Sequence, residues 1–183
     1  TPFDRMKPEG YTAGIGENAA PIRERVAQHA AGADILLITC GLGGGTGSAV
    51  AELVRVLADL SLPLMVLATL PSAHESGVVK VNAVRAVNEL VNEPLLGWIF
   101  IDNDRLAEKH GSVSLDRYYA EINRVAVDPI DALNQLNERE GIAPIRTLDG
   151  EDLRTLFLSS GLLNFGVKEL TKVSTDAVLE AVR

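Results

Sequence analysis

Short apolar segments that alternate with amphipathic helical patterns constrain the fold of this chain most strongly. Residues 34–39, 64–70 and 98–101 are mainly apolar on both faces, which is typical of strands buried in a parallel sheet. Residues 48–60 and 78–91 lie between them and place apolar side chains at helical spacing. This alternation predicts right-handed βαβ units and an α/β domain with a parallel sheet.

The pattern changes on either side of this region. Residues 1–17 are rich in proline and glycine, so we expect an irregular segment there, followed by a helix over 19–31. Beyond the third strand, a stripe of apolar residues longer than twenty positions predicts a long helix. Pro129 lies inside it and predicts a kink or a break. A further helix over 151–160 and a strand over 162–167 are predicted after it.

Composition excludes several classes of protein. A chain of 183 residues with 46% hydrophobic and 23% charged residues can bury a core of its own. The formal net charge of −8 argues against nucleic-acid binding that depends on Lys and Arg, and we expect none. No apolar run reaches the roughly 18 residues of a transmembrane helix. The single cysteine, Cys40, cannot form an internal disulfide and favours a reducing, cytoplasmic compartment.

A glycine-dense segment between the first predicted strand and the next helix is the strongest functional motif. Its residues are Gly41-Leu42-Gly43-Gly44-Gly45-Thr46-Gly47-Ser48. Glycines let backbone N–H groups approach phosphate oxygens, the following helix N-terminus adds partial positive charge, and Thr46 and Ser48 can add hydroxyl donors. No Lys follows as in a P-loop, and the third glycine of a dinucleotide fingerprint falls on Ser48. The segment predicts a phosphate site; the alternative is a tight strand-to-helix turn.

The run from Gly43 to Ser48 resembles the signature of the tubulin/FtsZ superfamily of GTP-dependent cytoskeletal proteins, with Ala49 where the family usually has a further glycine. The resemblance implies a three-layer Rossmann-like parallel sheet with helices on both faces, a long central helix and the start of a second α/β domain. It divides the chain into a GTP-binding domain at 1–112, the central helix at 113–140 and a catalytic loop with the start of the second domain at 141–183. By this comparison the first strand, its phosphate loop and most of the second domain are missing.

Other segments resemble stations of the same family and follow in the family order. Gly14 and Gly16 lie where the family has a loop that approaches the terminal phosphate. Glu75 lies where the family has a glutamate that contacts the ribose; the alternative is an ordinary exposed acid. FtsZ proteins have an arginine four residues after that glutamate, whereas this chain has Val79 followed by Lys80.

The resemblance implies that three side chains hold guanine. Asn103 follows the third predicted strand, and its amide offers a donor and an acceptor to one base edge; the alternative is a helix cap. Tyr119 and Asn123 are four residues apart on the long helix, so they share one face. There the ring can stack on the base; the alternative is a core tyrosine with an exposed asparagine.

Asp149 and Asp152 resemble the acidic residues that enter the nucleotide site of the next subunit and activate water there. FtsZ members have Asn where this chain has Thr147, and the alternative role of the two acids is helix capping. The resemblance implies GTP or GDP with Mg²⁺ as cofactors and a cytoplasmic protein that assembles head-to-tail with itself. Cell division is among the implied roles, adaptor proteins are conceivable partners, and no resident metal site is predicted. The alternatives are a non-polymerising α/β enzyme or binding module for a phosphorylated small molecule.

Overall fold

The structure is a computed structural model, and it describes residues 7–110, 115–138, 155 and 162–163. These residues fall into two compact units. The first holds residues 7–105 and 162, and the second holds the remaining described residues.

The first unit contains three parallel strands that follow the chain order. They are β1 (Leu36–Gly41), β2 (Leu64–Leu70) and β3 (Gly97–Asp102), and with the two-residue β4 (Leu162–Leu163) the sheet order is β1-β2-β3-β4. In the parallel register of the first three strands, Gly41 lies opposite Thr69 and Leu70 lies opposite Asp102. The carboxyl ends of these three strands therefore meet at one edge. The predicted parallel α/β fold is confirmed, and β2 has its predicted bounds.

Seven helices lie in the part of the chain that the structure describes. They are α1 (Pro8–Glu17), α2 (Ala19–His29), α3 (Gly45–Ser48), α4 (Val50–Ala58), α5 (Gly77–Leu90), α6 (Asn103–His110) and α7 (Leu115–Glu138). Pro129 lies inside α7, which continues through it as one helix. The predicted break is therefore wrong, because a proline removes one backbone bond while the turns on both sides keep theirs. None of these described helices has the length and apolar content to span a bilayer.

Helix α1 corrects the prediction that residues 1–17 are irregular. Pro8 occupies the first turn, where a missing N–H leaves no helical bond unmade. The backbone N–H and the side-chain Nδ2 of Asn18 both donate to the carbonyl of Gly14, at 3.2 and 2.8 Å, and end the helix. Glycine content suggested a loop, but packing of α1 against α3 and α4 supports a helix instead.

The core of the first unit lies between the sheet and helices α4 and α5. Val66 of β2, Val54 of α4 and Leu90 of α5 are completely buried in one hydrophobic cluster. Full burial of such side chains contributes about 1.5–3 kcal/mol each. Ile22 and Val26 of α2 pack against the same cluster. This layer holds the strand ends, and therefore the loops that follow them, in fixed positions.

Candidate functional site

The glycine segment, residues 41–48, joins the end of β1 to α3 at the carboxyl edge of the sheet. Gly43, Gly45 and Ser48 are buried, whereas Gly41, Gly44 and Thr46 are exposed. Helix α3 begins already at Gly45, three residues before the predicted helix start. The segment therefore has an inner and an outer set of residues.

Gly43 belongs to the inner set, and the protein itself satisfies its backbone. Its φ is +103°, and a Cβ there would lie 2.4 Å from Val79 Cγ1. Its N–H donates to Ser48 Oγ at 2.9 Å, and its carbonyl accepts from Asn82 Nδ2 at 3.1 Å. Ser48, which the sequence predicts as a phosphate donor, is 5% exposed and makes this internal bond.

Gly47 and Gly44 differ in what surrounds them. A Cβ at Gly47 would lie 1.9 Å from the carbonyl oxygen of Gly41, so the helix start rests directly on the end of β1. A Cβ at Gly44 would meet nothing within 4 Å, and its φ of −75° and ψ of 168° suit any residue. The exposed backbone of Gly44 and the exposed Thr46, whose hydroxyl is a donor, are therefore accessible to an anionic ligand.

Gly14 and Gly16 lie on α1 and not on a loop. Helix α1 contacts α3, so both glycines belong to an element that flanks the glycine segment. A Cβ at Gly16 would lie 3.3 Å from Glu52 Oε1 of α4, so a side chain at this position would require Glu52 to shift. The expected loop conformation is wrong; a contact with phosphate stays a prediction.

Glu75 lies in the loop of residues 71–76 between β2 and α5. Its side chain is exposed, and its N–H donates to the carbonyl of Ser72 at 3.0 Å. Ser76 then caps α5, with its hydroxyl accepting from the N–H of Val79 at 3.4 Å. The loop thus presents the Glu75 carboxylate to solvent at the carboxyl edge of the sheet.

Asp104, in the first turn of α6, binds this loop. Its Oδ1 accepts from the Ser72 hydroxyl and its Oδ2 from the Ala73 N–H, each at 2.7 Å. These two bonds lower the pKa of Asp104, and the nearby charges of His74 and Lys80 lower it further. Asp104 is therefore a carboxylate at neutral pH.

Asn103 is the first residue of α6, but Asp102 caps that helix. Oδ1 of Asp102 accepts from the N–H of Asp104 at 2.9 Å and from the N–H of Arg105 at 3.3 Å. The alternative role of Asn103 as the helix cap is therefore filled by its neighbour.

The remaining predicted residues belong to the second unit or lie outside the described residues. Asn123 is exposed on α7. Tyr119 is part of the same helix, but its side chain lies outside the described residues, as do Asp149 and Asp152 altogether. Asn103 and Asn123 belong to different units, so their contact with one base stays a prediction.

Comparison with known proteins decides the family. Residues 10–110 match the GTPase domain of the tubulin/FtsZ family. The chain belongs to this family. It is 29% identical over 170 residues to the cell division protein FtsZ of Methanothermobacter thermautotrophicus, covering 92% of this chain and 43% of that protein.

Solved structures agree in fold. CetZ from Methanosaeta thermophila superimposes with a TM-score of 0.73 at 21% identity, covering 97% of this chain and 49% of that chain. An empty FtsZ dimer from M. jannaschii superimposes with a TM-score of 0.71 at 23% identity, covering 88% and 45%. The chain thus spans less than half the length of these family members.

Two residues that support the candidate site, Asn82 and Asp104, were given no role from the sequence. Asn82 lies on the buried stripe of α5 with Val79 and Ala86, and a polar residue on such a stripe is a usable signal. Val79 itself fills the space beside Gly43, where FtsZ proteins were expected to have arginine. Asp104 gave no local signal, because its partner Ser72 is 32 positions away.

Cys40 and metal binding complete the chemistry of the described residues. Burial raises the pKa of the Cys40 thiol from 9.0 to about 11, so the group is a neutral packing residue near neutral pH. Within the described ranges, no three His, Cys, Asp or Glu side chains are grouped so as to hold a metal ion.

Proposed function

We propose that this chain is the GTP-binding part of a cytoskeletal protein that assembles with itself and completes GTP hydrolysis between subunits. One observation carries the proposal. The exposed Gly44 and Thr46 lie at the carboxyl edge of a parallel sheet, in a chain whose residues 10–110 match a GTPase domain.

The phosphates are bound by the outer set of the glycine segment. The exposed backbone of Gly44 leaves room for a phosphate oxygen, and the Thr46 hydroxyl supplies a further donor. Gly41 also belongs to this exposed outer set, whereas Gly43, Gly45, Gly47 and Ser48 form the framework behind it. Gly14 and Gly16 lie on α1, which contacts α3. Mg²⁺ would be held largely by the nucleotide phosphates and water, and it neutralises their charge.

The nucleoside is bound by residues that follow β2 and β3, together with α7. The exposed Glu75 carboxylate accepts hydrogen bonds from the ribose hydroxyls. Asn103 begins α6 directly after β3, and its amide offers a donor and an acceptor to the guanine edge. Asn123, exposed on α7, bonds the same base on which Tyr119 stacks.

Hydrolysis depends on acids of the neighbouring subunit. Asp149 and Asp152 enter the nucleotide site of the next molecule and orient a water molecule toward the terminal phosphate. Assembly and hydrolysis are therefore coupled. The relatives named cell division protein FtsZ support a cytoplasmic cytoskeletal role of this kind.

Nucleotide preference tests the proposal. We expect GTP and GDP to raise the melting temperature of the chain more than ATP and ADP at equal concentration, because the ligand with the lower Kd stabilises the folded chain more. Thermal unfolding with each nucleotide and Mg²⁺ measures this. Equal shifts for GTP and ATP would favour the alternative of a general phosphate-binding enzyme or module, and no shift with any nucleotide would contradict nucleotide binding.

A further inference from the structure

We propose that Asp104 is a positioning residue that sets the distance between the base-reading Asn103 and the ribose-binding loop of residues 71–76. The inference rests on the proposed function for the roles of Asn103 and Glu75. It adds a residue whose side chain holds together two parts of the site that follow different strands.

The contacts of Asp104 carry the inference. Both oxygens of its carboxylate are used by one loop: Oδ1 by the Ser72 hydroxyl and Oδ2 by the Ala73 N–H, each at 2.7 Å. The Ser72 oxygen in turn accepts from the N–H of His74 at 3.2 Å. A charged acceptor makes such bonds roughly twice as strong as neutral ones. The loop that presents Glu75 is therefore tied to the first turn of α6.

The loop is held from a second side by α5. Lys80 donates from its ammonium group to the carbonyl of Ala73, so both backbone polar groups of Ala73 have charged partners. The start of α6 has its own support, since Asp102 caps it through the N–H groups of Asp104 and Arg105. Removal of the Asp104 side chain therefore detaches the loop from α6 and leaves its Lys80 bond to α5, while the helix start, including Asn103, stays capped.

The chemistry of a nucleoside explains why this distance matters. Base and ribose are joined covalently, so groups that bind the two must lie at one fixed spacing to act together. If the loop were mobile, ordering it on binding would cost conformational entropy and weaken the contact between Glu75 and the ribose. Asp104 orders the loop before the ligand arrives.

Ribose discrimination is the readout that separates positioning from general stability. We expect the preference for GTP over 2′,3′-dideoxy-GTP to fall by about tenfold in Asp104→Ala. This is the magnitude of one hydrogen bond to a charged group. The preference for GTP over ATP should stay, because Asp102 still holds Asn103 in place. Asp104→Asn keeps one oxygen acceptor and should show a smaller loss. Asp59→Ala, an exposed aspartate that pairs with Arg23, is the matched control.

A second comparison tests whether Asp104 acts through Glu75. In the unsubstituted chain, Glu75→Ala should weaken GTP binding by about tenfold. In the Asp104→Ala background, the same substitution should have little further effect, because the loop no longer presents the carboxylate. Independent, additive losses would overturn the inference.

Hydrogen exchange without nucleotide provides a measurement that needs no ligand. We expect the Ala73 amide to exchange faster in Asp104→Ala, while the Asp104 amide keeps its protection from Asp102. An unchanged Ala73 amide, or equal loss of ribose and guanine preference, overturns the positioning role. Failure of the unsubstituted chain to bind GTP would instead overturn the proposed function, and with it the part of the inference that concerns ribose.

Discussion

At the scale of single residues, glycine is required at different positions of the site for different physical reasons. Gly43 is fixed by its positive φ and by contact with Val79, and Gly47 by its contact with the Gly41 carbonyl. Gly44 has neither constraint. Sequence inspection identified the segment as a whole but could not make this division, since it depends on atoms of β1 and α5.

Two alanine substitutions separate folding from binding. Gly47→Ala should lower the free energy of unfolding by about 3 kcal/mol, because the new methyl group overlaps the Gly41 carbonyl. Gly44→Ala should change it by less than about 1 kcal/mol and weaken GTP binding by about tenfold, because the methyl group covers the backbone that we propose binds phosphate. Urea unfolding and nucleotide titration measure both. A stable Gly47→Ala chain would contradict the described packing.

Cys40 predicts a pH effect. Its pKa rises from 9.0 to about 11 on folding, so above the unfolded value the unfolded chain loses a proton that the folded chain keeps. This contribution to stability is complete below pH 9.0 and is lost as the pH rises toward about 11. Between about pH 8 and pH 10, we expect the free energy of unfolding to fall by about 1 kcal/mol more in the unsubstituted chain than in Cys40→Ala. Urea unfolding at the two pH values measures this difference. If the free energy of unfolding fell equally in the unsubstituted chain and in Cys40→Ala, Cys40 would not be the cause of the pH effect.

At the scale of elements, α5 supports the glycine segment from inside. Val79 fills the space next to Gly43, and Asn82, 5% exposed, bonds the Gly43 carbonyl. A helix that packs on the core thereby fixes the backbone of a loop. Val79, where FtsZ proteins have arginine, therefore packs against the glycine segment as part of the fold.

Asn82 provides a test of this support. Asn82→Ala should lower the free energy of unfolding by about 1–3 kcal/mol, since it leaves a buried carbonyl without its partner. Asn88→Ala, an exposed asparagine on the same helix, should change it by less than about 0.5 kcal/mol. Chemical unfolding of the two variants gives the comparison. Similar values for both would mean that the Gly43 bond contributes little.

The elements themselves were predictable to different degrees. β2 and α5 were predicted nearly residue for residue, because a run of buried residues and a helical stripe leave few alternatives. Helix α1 was missed because its glycines suggested a loop, whereas contacts with α3 and α4 stabilise it. The predicted break at Pro129 was wrong because the loss of one backbone hydrogen bond does not end a helix of 24 residues.

At the scale of the whole molecule, the site combines local motifs with distant contacts. The parallel sheet places Gly41, the loop of residues 71–76 and Asp102 at one edge, and the alternation of elements was enough to predict that. The hydrogen bond between Asp104 and Ser72 joins helix α6 to the loop of residues 71–76 and could not be predicted from sequence spacing. The family relationship supplies the rest of the proposal, which concerns more than one subunit.

The proposed coupling between subunits predicts how turnover responds to assembly. Asp152→Ala should bind GTP normally but hydrolyse it about 100-fold more slowly, because it removes a group that orients water for a neighbour. Glu151→Ala, in the same acidic run, is the control and should retain turnover. Phosphate release at increasing protein concentration measures the effect. Normal turnover in Asp152→Ala would contradict catalysis by the next subunit.

The division of the glycine segment also bears on how such a motif evolves. Gly47 rests on the Gly41 carbonyl, while a side chain at Gly44 would meet open space. In a randomised library, selection for a folded chain should keep glycine at position 47 and admit many amino acids at position 44. A descendant that abandoned its ligand would therefore drift first at position 44, and that single substitution would mark the loss of function in a chain that still folds.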